Sequence, residues 1–62
     1  MSTYKLLVTT INAKNKQLDS SEITKEEYDS WKEDILKKMD LFLLRGRITD
    51  DQYNELSGMI RE

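Results

Sequence analysis

The chain contains no cysteine and no histidine among its 62 residues. The first absence removes disulfides, which often staple domains too small to build a large core. The second leaves only carboxylates as strong metal ligands, which argues against a structural metal site. Together they take away the commonest general base and the strongest nucleophile. We therefore expect no enzyme: no catalytic residues, no cofactor, no metal and no small-molecule substrate. No apolar run approaches the ~20 residues of a membrane-spanning helix. The opening stretch MSTYKLLVTTINAKNKQL has no charged segment before its apolar run and no small-residue cleavage site after it, unlike a secretory signal. The expectation is a cytoplasmic protein with no membrane partner.

What is present is small. Residues 1–62 make one domain, and a chain of this length buries only ~60% of the surface that its unfolded form exposes. With disulfides and metals set aside, self-association or binding to a partner is the remaining route to stability. Net charge is −2, unevenly spread: Lys5, Lys14 and Lys16 stand in the first 18 residues without an acid, and the remaining residues carry the acidic excess. A basic helix docking on an acidic pair explains this, and so does a basic segment that meets an anionic partner.

The phrase ITKEEY at Ile23–Tyr28 returns as ITDDQY at Ile48–Tyr53. Each copy reads as a helix start. Thr24 and Thr49 are N-caps, whose hydroxyls accept from an orphaned backbone N–H. Glu27 and Gln52, three residues on, complete capping boxes. Ile23 and Ile48 precede the caps and Tyr28 and Tyr53 follow four residues after them, the spacing of a hydrophobic staple. The likeness extends backwards, with Leu18 aligned to Leu43 and Ser21 to Gly46. Gly46 suits the left-handed conformation that ends a helix. Each copy is thus a helix end, a turn and a new helix start.

The spacing predicts an all-α protein of three short helices, about 3–17, 25–45 and 50–60. In the second, Tyr28, Trp31, Ile35, Met39 and Phe42 form one apolar stripe, with Glu33–Lys37 and Asp34–Lys38 as i,i+4 pairs outside it. Tyr53, Leu56 and Ile60 line the third. In the first, Tyr4, Leu7, Val8 and Ile11 fit a helical face after a Ser2 or Thr3 cap, although the β-branched run LLVTTI also suits a strand. Helix is the preferred reading. The run LFLL, Leu41 to Leu44, sweeps around most of the helix at ~100° per residue. It is either the core of a well-wrapped monomer or, with Trp31, an interface; Trp31, Leu41, Phe42 and Leu44 are the expected interface residues.

The stretch LFLLRGRITDDQYNELSGMI resembles the SHOCT motif, a short helical segment at the C-termini of many bacterial and phage proteins. The matching residues are Leu43, Leu44, Gly46, Ile48, Thr49, Asp50, Asp51, Tyr53, Leu56, Met59 and Ile60. The resemblance implies an oligomerisation or docking element rather than chemistry. In size and style the chain is also similar to small phage and prophage proteins of Gram-positive bacteria, and binding or inhibition of a host protein would suit the build of such an interaction module. The expectation is a self-associating interaction module that is not stable as an isolated monomer, with a second copy, another protein, or both as partners. The alternative is a small DNA-binding helix-turn-helix protein, weakened because the would-be recognition helix opens with Asp50 and Asp51 where phosphates would lie. DSSEITKEEYDS imitates a calcium loop but puts Ile23 at a ligand position and Ser30 where the bidentate glutamate belongs. Thr24→Ala and Thr49→Ala should each cost about 1 kcal/mol in thermal unfolding; two neutral replacements would mean that these threonines start no helix.

Overall fold

The computed structural model describes residues 2–61 and consists of three helices, α1 (Thr3–Asp19), α2 (Lys25–Leu44) and α3 (Asp50–Met59). No strand occurs among the described residues. α1 runs two residues further than its spacing predicts, and α2 and α3 each stop one residue earlier. The helical reading of LLVTTI holds for local reasons. The Ser2 hydroxyl accepts from the Lys5 N–H at 3.1 Å and caps α1. The Thr10 hydroxyl donates to the Leu6 carbonyl one turn back at 2.9 Å, an arrangement a helix allows. Leu7 and Ile11, four residues apart, are then both buried.

Every pair of helices is in contact. The end of α3 lies beside the end of α1, since the Asn15 amide donates to the Met59 carbonyl at 2.9 Å. α1 and α3 therefore point the same way and α2 runs back between them. At ~1.5 Å per residue α2 is about 30 Å long, which accounts for most of the 34 Å long axis of the molecule. The core takes Leu7 and Ile11 from α1, Tyr28, Ile35 and Met39 from α2, Ile48 from the second corner, and Leu56 and Ile60 from the last helix and its cap. Tyr4, Val8, Trp31, Phe42 and Tyr53 pack around it half-buried. The accessible surface is 4452 Å², close to the ~4200 Å² expected of a folded 7.4 kDa monomer.

The two corners are the same structure. At the first, the Glu22 N–H donates to the Gln17 carbonyl and the Ser21 N–H to the Leu18 carbonyl, at 2.9 and 3.1 Å. At the second, Arg47 donates to Phe42 and Gly46 to Leu43, at 2.8 and 3.1 Å. Both are Schellman caps, which need a left-handed residue at the turn; Ser21 has φ 60° and Gly46 φ 72°. Both next helices open with a capping box: Thr24 accepts from Glu27 and Glu27 from Thr24, and Thr49 and Gln52 repeat the exchange. Ile48 and Tyr28 are buried beside these starts, and Ile23 and Tyr53 are half-buried against the core.

One expectation fails. Glu33–Lys37 and Asp34–Lys38 do not form ion pairs; the helical pairs found among the described residues are Lys25–Asp29 and the longer Lys32–Asp29. Exposed i,i+4 partners gain only a few tenths of a kcal/mol, too little to hold two long side chains together at every opportunity.

The corners make the same demand on their left-handed residues, which a glycine meets at one and a serine at the other. A β-carbon added at Gly46 meets no atom within 4 Å, so Gly46→Ala should lose about 1 kcal/mol through backbone conformation alone. Ser21→Gly should gain roughly 0.5 kcal/mol, the relieved φ outweighing the extra freedom of the unfolded chain. Chemical denaturation measures both, and effects of the same sign would contradict the shared geometry.

Candidate interaction surface

The four apolar residues at the end of α2 do not share a surface. Phe42 and Leu43 are half-buried against the core, whereas Leu41 and Leu44 are 48% and 83% exposed. Helical geometry explains the division. At ~100° per residue, Leu41 and Leu44 lie within about 60° of each other and opposite the stripe of Tyr28, Ile35 and Met39. α1 and α3 cover that stripe and leave the outer face open. Trp31, also expected in an interface, is half-buried and packs against the core, with its ring centroid 5.2 Å from that of Tyr28 and a tilt of 53°. Of the four expected interface residues, the structure therefore leaves Leu41 and Leu44 on the free surface and draws Trp31 and Phe42 inward. Leu6, 54% exposed, is the other large apolar side chain in water among the described residues.

Lys37 stands on the same outer face, one turn before Leu41, and Lys38, Arg45 and Arg47 surround the helix end. All four are exposed, and none is within 4.0 Å of a carboxylate among the described residues. The glycine corner sets where these groups sit, because the Schellman bonds end α2 at Leu44 and turn Arg45 and Arg47 outward from the bundle.

A second cluster, at the opposite end, was not foreseen from the residues. The Tyr28 side chain is fully buried, and its hydroxyl donates to Asn15 Oδ1 at 2.5 Å while accepting from the Arg61 N–H at 3.0 Å. The Arg61 guanidinium pairs with the Asp19 carboxylate, which is held below the usual range by that hydrogen bond. The three helix ends are thereby tied together. The matching tyrosine of the second copy, Tyr53, donates to Asp40 Oδ1 at 2.7 Å, and the carboxylate raises the phenol pKa by accepting its proton in a hydrogen bond. Asn15 and Asp40 each stand 13 residues before their tyrosine. That equal offset is the signal that could have revealed both bonds.

The described residues enclose no pocket and bring together no group of three or more potential metal ligands. Among them no helix is long and apolar enough to cross a membrane. Comparison of the chain with protein-family models, curated proteins and solved structures finds no match.

The two tyrosine bonds differ in burial, and their removal should differ accordingly. Tyr28→Phe leaves the part-buried Asn15 short of a donor and should cost about 1–2 kcal/mol. Tyr53→Phe, whose partner Asp40 is exposed to water, should cost no more than about 0.5 kcal/mol. Urea titration distinguishes them, and equal losses would show that burial does not set the worth of these bonds.

Proposed function

We propose that this protein is a non-enzymatic protein–protein interaction module that binds through the outer face at the C-terminal end of α2. The observation that carries the reading is the exposure of Leu41 and Leu44 on a helix whose opposite face already supplies the core. Large side chains left in water forgo about 1.5–3 kcal/mol each of burial. In a domain this small, two such residues on one face are better explained by recognition than by folding. The likeness of the α2–α3 segment to the SHOCT motif supports docking in the same way, and we place the protein with small cytoplasmic, phage-type factors that act by binding another protein.

Self-association is the competing occupancy of the same face. Trp31 and Phe42 are half-buried against the core, so two copies paired through this face would cover chiefly Leu41 and Leu44 and would set the cations around them against each other. Pairing of two copies through this face alone is therefore weak. For nucleic acid the supporting feature is the Arg45–Gly46–Arg47 turn between two helices, and the opposing one is the exposed pair Asp50 and Asp51 in the first turn of α3.

The first corner supplies a substitution that this fold is known to accommodate. Leu41 and Leu44 align with Lys16 and Asp19, both exposed at the end of α1. The double variant Leu41→Lys/Leu44→Asp should melt with the wild type, within about 0.5 kcal/mol, and both should sediment as 7.4 kDa particles at low micromolar concentration. A loss of more than about 2 kcal/mol would assign the leucines to the core. A wild-type dimer that the variant dissolves would return the face to self-association.

A further inference from the structure

The repeat provides an internal control on what the second corner requires. Helix ends at Asp19 and Leu44, left-handed residues at Ser21 and Gly46, and caps at Thr24 and Thr49 all coincide at a displacement of 25 residues. Six exposed positions around each corner can then be compared. The first corner carries Asn12, Ala13, Lys16, Asp19, Ser20 and Glu22; the second carries Lys37, Lys38, Leu41, Leu44, Arg45 and Arg47. All twelve residues are exposed. The same backbone thus forms with a polar set of net charge −1 and with a set of two leucines and charge +4; counting the next exposed pair at each helix start, Lys25 and Glu26 against Asp50 and Asp51, leaves the first at −1 and the second at +2. The corner itself requires neither the leucines nor the cations. A favourable interaction of cations with the end of the helix dipole accounts for part of the charge, but the first corner manages with Lys16 alone, and the dipole gives no reason for leucine.

We propose that this end of α2 is a docking surface for an acidic amphipathic helix of another protein; the inference rests on the interaction-module reading above. Lys37, Leu41 and Leu44 follow i, i+4, i+7 spacing and make a ridge along about 10 Å of α2. Such a ridge packs into the groove of a second helix, and an all-helical chain offers no strand edge to extend. The occupant must cover two leucines and place carboxylates against Lys37, Lys38, Arg45 and Arg47, which have no ion-pair partner among the described residues. A second copy does not meet this requirement. Two-fold pairing of the face would bring like-charged clusters together, and among the described residues the large exposed apolar side chain elsewhere is Leu6, beside Lys5 rather than in an acidic segment.

The test is a displayed library of amphipathic helices, about five turns long, with an apolar ridge and randomised acidic, basic or neutral flanks, selected against the intact chain. Enriched helices are then titrated by fluorescence anisotropy against the wild type, Leu41→Lys/Leu44→Asp and Lys37→Asn/Arg45→Ser, each variant carrying first-corner residues and checked for helicity by circular dichroism. We expect acidic flanks to be enriched. Affinity should fall about tenfold or more with each double variant, and severalfold between roughly 50 and 500 mM salt. Enriched helices with basic or neutral flanks that still require the leucines would overturn the acidic partner and leave the interaction module standing. Helices that bind both variants as tightly as the wild type, or no enrichment at all, would remove both. Phosphatidylserine vesicles and a random DNA duplex are titrated in parallel, and tighter binding to either than to the best helix would assign the surface to that class instead.

Discussion

The corner between helices, made twice, is the constraint on which the structure depends. Each ends one helix with two backbone bonds around a left-handed residue and starts the next with a reciprocal cap. A helix terminus leaves four backbone groups without partners, and a short chain has many termini for its size. Here the corners satisfy those groups locally, and they also fix the direction in which each helix leaves. Without a disulfide to restrict the unfolded chain, that local definition is what lets eight buried residues from α1, α2, α3 and their connections meet in one core. The Tyr28 hydroxyl closes the open end, joining Asn15 of α1 to the backbone beyond α3.

Much of this was legible because caps are local. Thr24, Glu27, Thr49 and Gln52 act at fixed spacing whatever surrounds them, and Gly46 takes the positive φ that its lack of a β-carbon permits. Ser21 does the same with a residue that gives no such hint, and only its alignment with Gly46 reveals it. The apolar stripe of α2 was visible in its periodicity, but LFLL was not resolvable by that means. Four consecutive residues point in four directions, and which two face inward depends on where α1 and α3 lie. The Tyr28 network escaped for a related reason, since it joins residues up to 42 positions apart. The absent Glu33–Lys37 and Asp34–Lys38 pairs show the limit of spacing arguments for weak, solvated contacts.

Because the first corner performs the same task with Lys16, Asp19, Ser20 and Glu22, it separates what the fold needs from what the second corner adds. The addition is two leucines and two lysines on the face of α2 turned away from the core, with two arginines in the corner that follows. The account stands on that division of the LFLL run. Solvent paramagnetic relaxation of leucine methyl groups, measured with a soluble gadolinium chelate on the labelled chain at low micromolar concentration, tests it most directly. Leu41 and Leu44 should relax strongly, Leu43 less, and Leu7 and Leu56 hardly at all. Leu41 and Leu44 methyls as protected as those of Leu56 would contradict the account, because the face would then be covered without any partner.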